Sequence, residues 1–151
     1  MPIICRKQVT SQYENTLKHE KMNIIITLPS DLIAAIVSRR KQIEFRKCLP
    51  KHFNPVDDWV YVIEKGTKNV VARFRVMYFQ KEYDPIEIWH TYGRLIWVSF
   101  EWFVKYTSTA KIYYLWHISE PEYLEKPLHR GAFFGLSCNP QSYVYTRLTI
   151  K

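Results

Sequence analysis

The feature that most restricts how this chain can fold is a series of short apolar runs, rich in Ile, Val, Tyr and Trp, separated by few helical patterns. Asn23 to Leu28, Trp59 to Glu64 and Asn69 to Phe79 are the clearest of them. β-Branched and aromatic residues in runs of this length suit strands. In the third run, alternation puts Val70, Ala72, Phe74 and Val76 on one face and Arg73 and Arg75 on the other. Lys65-Gly66-Thr67-Lys68 reads as a turn joining the second and third runs into a hairpin. Two later β stretches are expected at 110–118 and 143–150, with Pro121 and Pro127 breaking the chain between them.

Helical signals are sparse. Pro29-Ser30-Asp31 reads as a helix entry with Ser30 as cap, followed by Leu32, Ile33, Ile36 and Val37 at core-facing spacing. Asp84-Pro85 starts a short helix through Trp89, and Ser99 caps another carrying Phe100, Trp102 and Phe103. Both are expected to cover one end of the strands. Too few helices alternate with strands for a doubly wound sheet. The pattern instead predicts an α+β fold: a small mixed β-barrel of five to six strands with peripheral helices.

The 151 residues fit one domain. Residues 1–22 are polar and nearly aperiodic, and the pattern changes abruptly at Asn23, so an N-terminal extension over 1–22 and a domain over 23–151 are expected. Only four glycines are present, so the turns must lean on Asn, Asp and Pro.

Three cysteines, Cys5, Cys48 and Cys138, lie far apart and are odd in number, which argues against a disulfide framework and for a reducing, cytoplasmic setting. The histidines lack the spacing that pairs ligands on a helix, so neither a metal nor another cofactor is expected. No apolar run approaches the roughly 18 residues of a membrane span.

Twenty-two Lys and Arg against fourteen Asp and Glu give a net charge of +8. Such an excess favours polyanionic partners, RNA or nucleotides, or an acidic protein surface. The charge is densest at Arg39, Arg40, Lys41, Arg46, Lys47 and Lys51, with Glu44 the single acid among them. Arg39 and Arg40 also suit the negative end of the preceding helix. From Lys41 the pattern switches to period two, so Ile43 and Phe45 share one side and Glu44 and Arg46 the other, and Lys41 emerges where helix becomes strand. All three polar groups can meet at one mouth. There an Arg fork can hold phosphate and a carboxylate can accept from an exocyclic amine. Alternatively, a desolvated Lys41 beside Glu44 can handle protons.

Arg-Arg-Lys-Gln-Ile-Glu-Phe-Arg at 39–46, following a strand and a helix, resembles the Gly-x-Lys-x-x-Glu-x-Arg signature of the ASCH family, small relatives of PUA RNA-binding domains. Lys41, Glu44 and Arg46 fall on its three polar positions, and Arg39 stands where glycine is usual. Asn139-Pro140-Gln141-Ser142-Tyr143 is similar to a late motif of some members. The resemblance runs over about residues 23–148 and implies a PUA-like barrel with a basic cleft suited to RNA or a modified nucleoside. It implies nucleic-acid binding by Arg39, Arg40, Lys41, Glu44, Arg46, Lys47, Gln141 and Ser142. Some members are RNA-binding or coactivator-associated modules, one type is a ribonuclease, and one bacterial type hydrolyses N4-acetylcytidine with a Lys, a Thr and a Glu. In the enzymatic case Lys41 and Glu44 would be catalytic. Glu44, however, stands where that hydrolase has its Thr.

Of the remaining polar and aromatic residues, the tryptophans are expected in the core, while Tyr113 and His117 share a face with Lys111, opposite Ile112, Tyr114 and Trp116, and are expected at the surface. Arg73 and Arg75 point outward as an extension of the basic track or as a solvated face. Gln141 and Ser142 suit a turn as well as a ligand. Cys48 has no partner that suggests a nucleophile.

Overall fold

A computed structural model describes residues 22–151. The expected extension therefore lies outside the described residues except for Met22, which is buried.

The N-terminal run forms β1 (Asn23–Leu28), followed by helix α1 (Ser30–Val37), a short β2 (Ile43–Arg46), and the expected hairpin of β3 (Trp59–Glu64) and β4 (Asn69–Glu82). Helices α2 (Pro85–Ile96) and α3 (Phe100–Thr107) precede β5 (Tyr113–His129), the small α4 (Arg130–Phe134) and β6 (Val144–Thr146). The six strands make one mixed sheet in the order β2-β5-β4-β3-β1-β6. β1 and β3 run parallel, and the other pairs are antiparallel.

The α+β class is as expected, but the sheet is not closed into a barrel. β2 and β6 are its two edges, and no ladder joins them. Instead a side chain reaches across: Nη1 of Arg46 in β2 donates to the carbonyl of Ser142, just ahead of β6, at 3.2 Å. A sequence shows how many strands there are, whereas closure depends on how far the sheet coils, which periodicity does not record.

Apolar packing covers both faces of the central strands, which is why β1 and β3 read as continuous apolar runs rather than alternating ones. Ile24, Ile26 and Leu28 join Val60, Val62, Phe74, Val76 and Trp116 in one core, closed by Ile33 and Ile36 of α1. Ile25 joins Trp59, Tyr61, Ile63, Val70 and Leu128 on the other face. A third cluster seats α2 and α3, through Ile88, Ile96 and Phe103, on Ile43, Phe45, Tyr113 and Leu115. Buried Asn23 ties these parts together, accepting from the Trp59 amide at 2.7 Å and donating to the Leu148 carbonyl at 2.9 Å.

Three local expectations are corrected. Ser30 begins α1 rather than capping it, because Pro29 occupies the cap position without a side-chain bond. The helix at Pro85 is no short piece but runs to Ile96, capped by Asp84 as its spacing suggests. Pro121 and Pro127 do not break the chain, since β5 continues through both. The β4–β5 register shifts between Arg73 and Arg75 and between Val70 and Ala72, so each proline falls at a bulge where no ladder donor is demanded. Ser99 caps α3 as expected, accepting from the Trp102 amide at 3.1 Å.

Helix α1 ends in a reversal that matters for everything downstream. Arg39 adopts φ +66°, its amide donates to the Ile36 carbonyl, and the Arg40 amide donates to the Ala35 carbonyl. This is the Schellman arrangement, in which the left-handed residue is usually glycine. Here an arginine carries the Cβ penalty of that conformation. Arg39→Gly is therefore expected to raise the unfolding free energy by about 0.5–1 kcal/mol, the steric relief less glycine's entropy. A denaturant melt with an unchanged or lower midpoint would contradict the strain.

Candidate functional site

The Schellman turn aims the chain along the C-terminal end of α2. The Gln42 amide donates to the Leu95 carbonyl at 2.8 Å, and the Gln42 carbonyl accepts from the Ile118 amide at 2.9 Å. With Gln42 pinned on both sides, β2 starts in fixed register. Ile43 and Phe45 enter the α2–α3 cluster, and Glu44 and Arg46 take the opposite face, where Glu44 pairs with Trp116 and Arg46 with Tyr114.

Lys41 is 2% exposed and Glu44 5%. The Lys41 ammonium donates to the carbonyls of Ile43 (2.8 Å) and Ile96 (2.7 Å) and lies 3.3 Å from Glu44 Oε1. Ile96 is the last residue of α2, so Lys41 satisfies one of that helix's orphan carbonyls at its negative end. Glu44 Oε2 receives Arg46 through Nε and Nη2, both at 2.8 Å, and the guanidinium carbon stands 5.5 Å from the Trp116 ring centroid. Burial pulls the Lys41 pKa below its ordinary value, and the attraction of Glu44 only partly offsets this. Burial alone would raise Glu44. The combined charges of Arg46 and Lys41 outweigh it and hold the carboxyl below the usual range, so Glu44 stays ionised between two cations.

This chain of charges lines a cleft of about 1670 Å³. One wall comes from the β1–α1 junction with Thr27 and Asp31, another from α2 and α3 with Trp97, Trp102 and Tyr106, and a third from the 139–142 segment. Thr27 Oγ1 fastens that segment by donating to the Pro140 carbonyl at 2.9 Å.

Of the residues singled out from sequence, Lys41, Glu44, Arg46, Lys47, Gln141 and Ser142 line the cleft, as does Cys48, whose Sγ is 3.3 Å from Ser142 Oγ. Arg39 and Arg40 are not among its lining residues. Arg40 instead bonds Ser38 and lies 5.1 Å from the Trp97 ring centroid. Arg73 and Arg75 sit elsewhere, over Trp59 and beside Glu122 and Glu120. Tyr113 is buried and Ile112 is 39% exposed, the reverse of the expected faces, because α2 and α3 cover the side of β5 that carries Tyr113 and Leu115. His117 is half-buried, bonded to Gln80 and stacked on Tyr78 at 4.1 Å.

Trp59 and Trp116 are core residues as expected, but Trp89, Trp97 and Trp102 line the cleft. Sequence reasoning missed these, together with Tyr106, Arg94 and Lys65. The i, i+4 spacing of Trp102 and Tyr106 was the available signal, since it places both rings on one helix face, where they can stack. Among the described residues no three His, Cys, Asp or Glu side chains converge as metal ligands, and no helix is long and apolar enough to cross a membrane.

Sheet order, the helix between β1 and β2 and the cleft floored by β2 together make an α+β fold that ASCH structures share. Solved structures bear this out: an ASCH protein from Zymomonas mobilis matches with a TM-score of 0.72 and 18% identity, over 85% of this chain and 88% of that one. Crystal structures of two single-substitution variants of that protein each match at 0.71, with 17% and 18% identity, over 85% and 84% of this chain and 89% and 90% of theirs. At such identity the likeness is one of fold, and the chain has the ASCH fold. No family model matches the sequence, and no curated protein matches it either.

Two outcomes follow from the buried charges. Glu44→Ala leaves two buried cations without their counterion and should cost about 3–5 kcal/mol in a denaturant titration. Because folded Glu44 binds its proton less tightly than an unfolded carboxyl of pKa 4.5, it adds stability above that value that is lost as the pH falls through its lower folded pKa. Glu44→Gln should therefore flatten the acid limb of a melting-temperature profile, and an acid limb as steep as that of the parent would refute the assignment.

Proposed function

We propose that this chain is an RNA- or nucleotide-binding module of a cytoplasmic, reducing setting. In this reading Arg46 contacts the ligand, Lys41 and Glu44 hold it in place, and Lys47, Gln141 and Ser142 border the same cleft. The observation that carries the reading is an inventory of donors. An ammonium has three N–H groups, and those of Lys41 are directed at two carbonyls and Glu44. A guanidinium has five, of which Glu44 and Ser142 take three. Arg46 thus keeps one N–H on each terminal nitrogen to offer a phosphate or a base edge.

Binding should weaken as salt rises. Arg46→Ala is expected to lower affinity for a short RNA about tenfold or more, the value of a charged hydrogen bond, and to make the salt slope shallower. Arg46→Lys, which keeps the charge but not the fork, should preserve the slope and still bind less tightly. Retention on RNA that ignores both salt and Arg46 would end this account.

A second reading, a hydrolase acting on RNA or on an acylated nucleoside such as N4-acetylcytidine, draws support from the lowered pKa of Lys41 beside Glu44. To act as base or nucleophile, Lys41 must release a proton and at least one of its three contacts. Turnover by the parent protein that disappears in a folded Lys41→Met variant would favour this reading, and a parent that binds without turnover would exclude it.

A further inference from the structure

Trp102 is 43% exposed, more than any other tryptophan of the described residues. It is not loose. Its ring stacks on Tyr106 with centroids 4.5 Å apart and planes 14° from parallel. The Lys47 ammonium sits 4.2 Å from the Tyr106 centroid. Two groups this close to one ring cannot share a face, so Lys47 and Trp102 sandwich Tyr106 between them. Lys47 is tethered in turn to Thr109 Oγ1 at 2.7 Å, and Phe45 lies against the Tyr106 ring at 5.6 Å. One face of Trp102 is therefore backed by a fixed column that grows out of β2 beside Arg46, and the ring stands at the rim of the cleft.

A second aromatic on the same wall points the same way. Trp97 holds φ +59° at the end of α2, where glycine would be free of strain, and Arg40 covers its ring.

The occupant can be named by its chemistry. Five cations, Lys41, Arg46, Lys47, Lys65 and Arg94, line the cleft against two carboxylates, Asp31 and Glu44, so it favours an anion. A backed, exposed indole favours a flat ring, and a negatively charged chain of flat rings is a nucleic acid. The cleft, at about 1670 Å³, exceeds the roughly 300–1,000 Å³ that small ligands fill, so it has room for more than one nucleotide. A duplex hides its base faces. Building on the nucleic-acid reading above, we propose that Trp102, with Tyr106 and Lys47 behind it, is a stacking platform for an unpaired base next to the nucleotide held at Arg46, and that the ligand is single-stranded.

The test measures binding of AMP, of a single-stranded hexamer and of the same hexamer in a blunt duplex by the full chain, Trp102→Ala, Trp102→Phe and Arg46→Ala. An exposed ring can be removed without harm to the core, and a thermal melt checks that. Trp102→Ala should weaken the hexamer about 5- to 150-fold. Trp102→Phe should retain most of the affinity, and the parent should prefer the single strand to the duplex. If Arg46→Ala loses the hexamer and Trp102→Ala does not, or if the duplex binds as well as the single strand, the platform is overturned while the binding reading stands. If the parent binds none of the three, both fall.

Discussion

A buried carboxylate held between a buried lysine and a partly exposed arginine governs this structure. Burying two charged groups and most of a third is costly, and the arrangement persists because Lys41 is met by two carbonyls and Glu44, and Glu44 by Lys41 and by Nε and Nη2 of Arg46. One of those carbonyls ends α2, so the same ammonium that neutralises Glu44 also caps a helix. Packing and electrostatics thereby specify one another. The α2–α3 pair is seated by apolar contacts with β2 and β5, and the charge chain lies on the other face of β2.

The open sheet gives this charge chain its access. Had β2 and β6 been joined by a ladder, Arg46 and the 139–142 segment would have had no gap between them. Because they meet through side chains, Arg46 bonding the Ser142 carbonyl and Cys48 touching Ser142 Oγ, and not through a ladder, the region between the edges remains a cleft. Its walls come from three separate stretches of chain, and its chemistry is mixed accordingly: positive charge from β2 and its surroundings, and aromatic surface from α2 and α3. Left-handed residues stand at two of the corners that shape it. Arg39 and Trp97 both follow helix ends, and each sets the direction of a chain that then contributes to the site.

Much of this was legible in the residues. The period-two switch after Arg40 placed Glu44 and Arg46 on one side and Ile43 and Phe45 on the other, because alternation across a strand is a local property. The hairpin, the helix start at Asp84-Pro85 and the cap at Ser99 were legible for the same reason. What failed were readings that needed a neighbour. Alternation sorted Tyr113 from Tyr114 correctly but could not say which side α2 and α3 would cover. Nor does a proline reveal from its own position that its strand slips register against a partner, as β5 does against β4 around Pro121 and Pro127.

The sequence by itself determined which segments become strands, where α1 yields to β2, and that Lys41, Glu44 and Arg46 can face one another, since each follows from backbone geometry over a few residues. The tertiary structure decided that Lys41 and Glu44 would be buried and Arg46 left with donors to offer, that the sheet would stay open, and that three tryptophans would line the opening. Those outcomes depend on residues such as Ile96, Ser142 and Trp116, brought together from distant parts of the chain, and no local pattern encodes the distance between them.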